Sequence, residues 1–315
     1  MKKSASYIAL TLLLTAMAWG QNAGSAGAFA RMGFGARSMG MGNAATAVST
    51  GEVSSYYNPA LVPFSTAHNA SASFGVLSLD RHLNLINYTQ PLAPRAGVSV
   101  GLINAGVSDI DGRDNDGFHT EDYSTSENQI YLSFANRIDD RVSLGVSIKL
   151  YYATLFEKVS STTVGFDAGA LISLTEELSL GVAVQDIGSK YKWDSKELYG
   201  EDGKQTDDKF PMLRRVALAY RLPDSLGVID VEFENSSEKT NFIRFGGEYY
   251  ITPNFALRAG VDRWEFSDNA TGVKPSFGFT VRNSFTDWTP SLHYAFIIEG
   301  FSPHGIHMIT LTGTF

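Results

Sequence analysis

The last nine residues constrain the fold more than any other part of this chain. One face of this stretch carries His307, Ile309, Leu311, Gly313 and Phe315, and these alternate with Met308, Thr310, Thr312 and Thr314. Such alternation is typical of a β-strand. A transmembrane barrel needs a strand that closes its cylinder and turns one face to lipid. We therefore expect Ile309, Leu311 and Phe315 to mark the closing strand and its assembly signal.

Residues 1–20 have the pattern of a secretory signal peptide. Lys2 and Lys3 are followed by an apolar run from Ile8 to Ala18, and small residues place cleavage between positions 18 and 22. A single anchoring helix is the alternative, but the run is short and no charged stop follows. No later apolar run is long enough for a helical membrane protein. The sequence therefore predicts export to the bacterial outer membrane.

Composition removes several classes of function. The chain has no cysteine, which excludes disulfides, thiolate metal sites and cysteine nucleophiles. Its formal net charge of −8 argues against nucleic acid as a partner.

The alternating pattern is strongest from residue 142 onwards. Val142, Leu144 and Val146 fall on one face with three further apolar residues, while Ser143 and Lys149 fall on the other. About ten residues at 3.3 Å each, tilted near 45°, rise roughly 23 Å, which matches the apolar band of an outer membrane.

Segments of this kind recur along the whole chain after residue 68. Besides the two already described, they begin near residues 69, 82, 95, 125, 164, 178, 209, 227, 243, 255, 273 and 288. The total is about fourteen antiparallel strands, and an even number suits a single-chain bacterial barrel. We predict an all-β transmembrane barrel over residues 69–315, in contact with outer-membrane lipid.

Loop lengths support the barrel independently. The two longest predicted loops, 108–124 and 189–209, both follow odd-numbered strands, whereas connections such as Pro91–Pro94 and Asp139–Asp140 follow even-numbered ones. Long extracellular loops and short periplasmic turns are the pattern of outer-membrane barrels. A soluble sandwich has no reason to sort its loops in this way.

The inward positions of the predicted strands carry charges of both signs. They are Lys149, Asp167, Arg215, Arg221, Asp230, Glu232, Arg244, Glu248, Arg258 and Asp262. We expect a lumen crossed by ion pairs around water or a plug; the alternative is that these charges only hydrate the wall.

Residues 21–68 belong neither to the strand series nor to a linker. Their small residues allow a backbone to pass through a narrow space, and Asn-Pro favours a turn or a helix start. The motif residues are Gly35, Arg37, Met39, Gly40, Gly42, Asn43, Asn58 and Pro59. We predict a plug that folds into the lumen. A disordered periplasmic tail is the alternative, against which the Met and aromatic content argues.

The run from Gly35 to Val48, followed by Tyr57-Asn58-Pro59-Ala60-Leu61, resembles the opening signature of the PorV/PorQ family of outer-membrane proteins. These are relatives of the FadL-like fourteen-stranded barrels. Weaker similarity continues downstream over nearly the whole mature chain. The family often has Asn-Pro-Ala-Gly-Leu, and this chain lacks that glycine. The resemblance implies a fourteen-stranded barrel that takes part in type IX protein secretion.

No constellation of catalytic residues stands out, and we predict neither an enzyme nor a cofactor nor a bound metal. The acidic loop around Asp109, Asp111, Asp114 and Asp116 could hold calcium, but its spacing does not match the twelve-residue calcium loop, and a solvated turn is favoured. Loop 189–209 is either a partner-docking surface or an ordinary extracellular loop.

Two functions remain open. The resemblance implies a secretion component that binds a translocon subunit or secreted cargo proteins, and the charged lumen favours this hypothesis. The alternative is FadL-like uptake of hydrophobic small molecules, with the N-terminal residues as a movable hatch.

Overall fold

The computed structural model describes residues 25–315 except 157–158, 266–271, 286 and 301. The predicted signal peptide lies outside the described residues. Before the first strand come a 3-10 helix at Ala28–Arg31, the helix α1 at Gly35–Gly40 and a second 3-10 helix at Pro59–Phe64. We refer to residues 25–68 as the N-terminal segment.

Among the described residues, sixteen strands follow the N-terminal segment. They are β1 (Asn69–Val76), β2 (Arg81–Leu92), β3 (Ala96–Arg113), β4 (His119–Arg137), β5 (Val142–Phe156), β6 (Val159–Ser173), β7 (Leu178–Ile187), β8 (Lys190–Asp194), β9 (Gln205–Lys209), β10 (Leu213–Arg221), β11 (Gly227–Ser236), β12 (Asn241–Thr252), β13 (Phe255–Trp264), β14 (Lys274–Arg282), β15 (Thr289–Ile297) and β16 (Ile306–Thr314). A short helix, α2 (Lys196–Tyr199), and 3-10 turns at Gly200–Asp202 and Pro223–Ser225 complete the elements.

Fourteen of these strands form one closed antiparallel barrel, which confirms the predicted fold class. Each strand pairs with its neighbour in sequence, β7 pairs with β10, and β16 returns to β1. Strands β8 and β9 form a separate two-stranded hairpin between β7 and β10. Among the described residues, no helix is long and apolar enough to cross a membrane.

The first and last strands close the barrel in continuous register, from Asn69 opposite Thr314 to Val76 opposite His307. Beyond the last pair, the backbones of His68 and Phe315 exchange two hydrogen bonds of 3.0 Å, and their rings stack at 5.9 Å. Ile309 and Leu311 are exposed on the outer face.

Alternation along each strand separates an apolar exterior from a polar interior. In β5, the side chains of Val146 and Ile148 are exposed, while those of Ser147 and Lys149 are buried inside the barrel. Such a period of two gives lipid one face and the lumen the other. The start of β1, the end of β16 and turns of two to six residues lie at the same end of the barrel, and this end is the periplasmic one in barrels of this kind.

Two predicted loops are more ordered than expected. The stretch 108–124 is mostly strand, because β3 and β4 continue to Arg113 and His119 and leave only residues 114–118 as a connection. The stretch 189–209 contains the β8–β9 hairpin. The extensions of β3 and β4 are mostly polar on both faces, and β8 and β9 have only five residues each, so neither stretch shows the long apolar alternation of a lipid-facing strand.

Candidate functional site

The N-terminal segment lies inside the barrel. Its backbone amides donate to side chains of the inner wall: Ala36 to Thr310 Oγ1 at 2.8 Å, Gly42 to Ser276 Oγ at 2.9 Å and Thr46 to Glu232 Oε2 at 3.2 Å. The segment also buries Met39 and Met41 almost completely. The fold thus brings the eight predicted motif residues together within the lumen.

Helix α1 depends on the barrel wall for its N-terminal cap. The first amides of a helix have no partner within the helix, and Phe34 at the N-cap position offers no side-chain acceptor. Thr310 on β16 takes that role for the Ala36 amide, and its hydroxyl also bonds Ser73 on β1 at 2.8 Å. The segment, the first strand and the last strand therefore meet at one side chain.

Arg37 is the main electrostatic contact between the segment and the wall. Its guanidinium reaches Glu248 on β12 through two nitrogens, at 2.7 and 3.1 Å, and a third nitrogen donates to the Glu52 carbonyl at 2.8 Å. Arg258 and Tyr250 also donate to the Glu248 carboxylate, at 2.6 and 2.7 Å. One buried wall carboxylate thus holds two arginines, which makes it costly to remove.

A second charged contact lies toward the periplasmic end. The Glu52 carboxylate is 3.0 Å from His293 Nε2 on β15, and Thr312 donates to it at 3.2 Å. Burial alone would raise the pKa of Glu52, but His293 and Arg37 outweigh burial and hold that pKa at about 2. Glu52 is therefore ionised at neutral pH.

Asn43 joins the segment to a third wall charge. Its side-chain amide donates to Asp262 on β13 at 3.0 Å, and its carbonyl oxygen accepts from the Tyr57 hydroxyl at 2.7 Å. The backbone of Asn43 has φ of 60°, a left-handed conformation that asparagine tolerates. Asp262 in turn binds Arg244 at 2.6 Å, so Asn43 is tied to the charge network of the wall.

The opposite side of the barrel holds the segment through neutral groups. Asn58 donates to the carbonyls of Thr46 and Ala170, both at 3.0 Å, and accepts from the Ala60 amide at 3.0 Å. It therefore caps the 3-10 helix that begins at Pro59. The Ser143 hydroxyl on β5 donates to the Ala60 carbonyl at 2.8 Å.

Inward glycines of the wall allow this close approach, and the sequence analysis did not identify them. They are Gly97, Gly145, Gly169, Gly181, Gly246 and Gly260. A Cβ atom on Gly145 would lie 2.5 Å from the Pro59 backbone, and one on Gly97 would lie 2.8 Å from Val62. Any larger residue at such a position would push the segment away from the wall. The only sequence signal was a glycine at an inward position of an otherwise regular strand.

Most of the predicted lumen charges form ion pairs within the wall. Arg244 binds Glu232 at 2.9 Å as well as Asp262, and Lys149 binds Asp167 at 2.8 Å. Arg215 lies 3.6 Å from Glu232 and bonds the neighbouring Glu234 at 2.7 Å.

Two of the predicted lumen charges differ from this group. Asp230 is fully buried, and its carboxylate has no hydrogen-bond partner that meets standard geometry among the described residues. Arg221 ends β10 at the periplasmic rim, where its guanidinium donates to the Glu176 carbonyl at 2.7 Å. Its strand leaves the lumen there, so Arg221 is a rim residue and not a lumen charge.

A cavity of about 450 Å³ lies at the extracellular end, above the N-terminal segment. Phe29, Met32 and Met39 of the segment form its floor. Further apolar side chains come from Leu77 in the β1–β2 connection and from the strands, among them Ala105, Ile297 and Ile306. Charged residues also line it: Arg31, Arg81, Arg263, Lys274, Glu127, Asp262 and Glu299. We call this space the mouth cavity. Its residues come from many separate elements, so no spacing in the sequence could predict it.

The β8–β9 hairpin covers the other side of the extracellular opening. The Tyr191 hydroxyl donates to Glu127 at 2.8 Å, and the ring of Phe210 packs edge-on against Tyr151 and Tyr191 with centroids 4.7 and 4.8 Å apart. These aromatic side chains close the opening over β4 to β7. The mouth cavity is bordered instead by β1 to β4 and β13 to β16.

In the described part of the chain, one group of side chains has a geometry that could hold a metal ion. It comprises Asp111, His119 and Asp122 at the β3–β4 tip, and all three are exposed. Asp111 is already engaged by Arg113 and by His119 at 2.8 Å. The Asp-rich stretch is thus an extension of two strands and not an isolated turn.

The closed fourteen-stranded barrel, apolar outside and polar within, makes this chain a bacterial outer-membrane protein. Solved structures share the fold. One is the Pseudomonas putida toluene transporter TodX, with 13% sequence identity, 90% of this chain and 96% of that chain covered, and a TM-score of 0.61. Another is the CymD monoaromatic hydrocarbon channel, with 12% identity, coverages of 90% and 97%, and a TM-score of 0.60. A Pseudomonas aeruginosa FadL homologue also shares the fold, with 12% identity, coverages of 89% of this chain and 98% of that chain, and a TM-score of 0.58. No protein-family model and no curated protein sequence matches the chain. The PorV/PorQ resemblance therefore stays a prediction.

Proposed function

We propose that this protein carries small hydrophobic molecules across the outer membrane, without catalysing a reaction. The mouth cavity is the observation that carries this proposal. It is concave, it is lined by apolar as well as charged side chains, and its volume lies within the range of 300–1,000 Å³ usual for small-molecule sites. The structures that share the fold include proteins described as toluene transporter and monoaromatic hydrocarbon channel, which favours the same class of substrate.

The N-terminal segment acts as the gate in this mechanism. It forms the floor of the cavity and lies between that cavity and the periplasmic end. A ligand in the cavity contacts Phe29 and Met39 directly, so binding energy can be used to displace the segment. Passage then requires the contacts of Arg37 and Asn43 with the wall to open.

Cavity filling tests the entry site. Ala105 is buried and lines the cavity, so Ala105→Phe should reduce the initial rate of toluene uptake by intact cells about tenfold. Ala259→Phe, on the lipid-facing side of β13, is the matched control and should leave uptake unchanged. Equal uptake by both variants would remove the cavity from the route.

A reversible cross-link tests the gate. A Cβ on Gly40 would lie 3.4 Å from the Ala295 Cβ, close to the separation of a disulfide. The chain has no other cysteine, so Gly40→Cys combined with Ala295→Cys gives a single defined bond between the segment and β15. Oxidation should stop uptake, and reduction should restore it. Uptake at the wild-type rate in the oxidised protein would refute a moving segment.

A component of type IX protein secretion is the second candidate. The contacts of the segment with both sides of the wall favour it, because they keep the lumen closed while leaving the extracellular surface free for a translocon subunit or cargo. The PorV/PorQ resemblance implies the same role. Deletion of the gene should then trap cargo proteins in the periplasm, and the oxidised Gly40→Cys/Ala295→Cys protein should secrete them normally. Normal secretion in the deletion strain would exclude this candidate.

A further inference from the structure

Strand β7 carries an irregularity that the uptake mechanism does not use. By the alternation along β7, Gln185 faces the lumen and Asp186 should face lipid, yet both side chains are buried. The pairing of β6 with β7 shifts register at this point, so that Asp167 lies opposite two residues of β7, and Asp186 has φ of 60°. A β-bulge of this kind re-aims a side chain, and such bulges are frequent next to active sites. The bulge thus turns the Asp186 carboxylate inward, beside Asp167.

Lys149 on β5 contacts both of these carboxylates. Its Nζ atom is 2.8 Å from Asp167 Oδ2 and 3.0 Å from Asp186 Oδ1, and each of the three residues is at most 3% exposed. The contact with Asp186 is a hydrogen bond, whereas Asp167 Oδ2 has no hydrogen-bond partner of standard geometry among the described residues. The lysine nitrogen is therefore held beside the Asp167 carboxyl group without a hydrogen bond to it.

The other contacts of this triad are those that the condensation of an amine with a carboxyl group requires. The backbone amide of Asp186 donates to Asp167 Oδ1 at 2.9 Å, so it polarises that group and can stabilise negative charge on this oxygen. The Asp186 carboxylate is within hydrogen-bond reach of the Lys149 nitrogen, as a general base must be. The Tyr151 hydroxyl donates to Asp186, and the Phe210 ring packs edge-on against Tyr151. The site is therefore enclosed, and bulk water that would hydrolyse an amide is kept out.

We propose that Lys149 and Asp167 condense to an isopeptide bond that joins β5 to β6 covalently, with Asp186 as the catalytic acid and base. Asp186 takes a proton from the Lys149 ammonium, and the resulting amine attacks Cγ of Asp167. The Nζ–Cγ bond forms and the Cγ–Oδ2 bond breaks. Oδ2 leaves as water with two of the three ammonium protons, one of them delivered by Asp186, which is thereby regenerated. The step needs no oxidant, reductant or further reactant.

The bond strengthens the side of the wall that holds the N-terminal segment through neutral groups. Ser143 on β5 donates to the Ala60 carbonyl, and Asn58 donates to the Ala170 carbonyl on β6. A covalent link between these two strands keeps both contacts in place when hydrogen bonds of the sheet open. The inference does not depend on the transported substrate, and its failure would leave the proposed uptake function intact.

Intact-mass spectrometry of the protein purified from outer membranes tests the bond. With the N-terminus determined on the same sample, the wild type should weigh one water less than its mature sequence. Lys149→Arg keeps the positive charge but removes the amine, so it should show the full mass, and so should Asp167→Ala. A cyclised aspartate would also lose one water, but that loss would persist in Lys149→Arg. Fragmentation of a proteolytic digest should place the bond between Lys149 and Asp167.

Two further variants examine the catalyst and the specificity of the site. Asp186→Asn keeps the size of the side chain but removes the base, so most of this protein should have the full mass. Lys190→Arg changes the lysine of an exposed ion pair with Asp207 and should keep the loss of one water. A wild type of full mass would overturn the proposal even if no variant assembles. An unchanged loss in Lys149→Arg, or a bond located at Asp186, would overturn it as well.

Discussion

The two sides of the barrel wall hold the N-terminal segment by different means. Strands β11 to β15 bind residues 37–52 through charged side chains, with Glu248, Asp262 and His293 as the main wall partners. Strands β3 to β7 bind residues 46–64 through neutral hydrogen bonds, and glycines admit the backbone on both sides. Ion pairs respond to pH, salt and charged ligands, whereas neutral hydrogen bonds respond much less. We infer that residues 37–52 form the movable part of the gate and residues 57–64 its fixed anchor.

The largest loss of stability should come from a substitution on the charged side of the wall. Glu248→Gln leaves Arg37 and Arg258 buried without their shared carboxylate, which should cost about 3–5 kcal/mol of stability. Thermal unfolding of the purified barrel measures the loss, and limited proteolysis after Arg37 should become faster. Adding Arg37→Gln should recover part of the stability. A Glu248→Gln protein as stable as the wild type would show that this contact does not hold the segment.

Low pH should weaken the charged contacts between the N-terminal segment and the wall, but not the neutral ones. The pKa of Glu52 is about 2 in the folded protein and lies below its ordinary value of 4.5. A depressed pKa contributes stability that is complete above pH 4.5 and is lost as the pH falls through about 2. The contribution is on the order of 3 kcal/mol. The unfolding temperature of the wild type should therefore fall more steeply between pH 5 and 2 than that of Glu52→Gln. Parallel pH profiles would contradict this assignment.

A bulky side chain should disturb the neutral side without any charge effect. Gly145→Val places a branched side chain against the Pro59 backbone and should cost about 1–3 kcal/mol. The loss should not depend on pH or salt, unlike that of Glu248→Gln. Gly247→Ala is the matched control, because its added Cβ would meet nothing closer than 3.6 Å. Equal stability of the two variants would mean that the segment does not depend on the inward glycines.

The smallest of these effects should come from the anchor cap. Asn58→Ala removes the N-cap of the 3-10 helix and two further hydrogen bonds, at a cost of about 1–2 kcal/mol. Asn58→Asp keeps the capping oxygen and should be less harmful at the helix but lose the bonds to Thr46 and Ala170. Hydrogen exchange of residues 59–64 distinguishes the two variants. Identical protection in both would show that the cap is unimportant.

The sequence predicted the barrel well because lipid imposes a pattern that is visible residue by residue. The alternation around Val146 and Lys149 follows from one apolar and one polar environment, and the fourteen strands are each readable in this way. The extensions of β3 and β4 escaped prediction because they are mostly polar on both faces and show no apolar alternation. The β8–β9 hairpin escaped because each of its strands has only five residues, too short a run to show the pattern.

The candidate site was only partly accessible to sequence reasoning. The motif around Arg37, Asn43 and Asn58 stood out by composition, and the structure places these residues against the wall. The sequence did not show which wall residues bind them, because the contacting residues are far apart in the chain. Arg37 and Glu248, for example, are separated by 211 positions. A glycine such as Gly145 has no side chain to mark its direction, so its role appears only when the segment is seen beside it.

Thr310 links the docking of α1 to the closure of the barrel. Its hydroxyl joins the first strand at Ser73 and caps the Ala36 amide, which is 274 positions away in sequence. The cap needs β16, the last strand of the barrel, and the Ser73 contact holds Thr310 beside β1 at the seam. We infer that α1 docks after β16 has paired with β1, because without that strand the Ala36 amide lacks its acceptor.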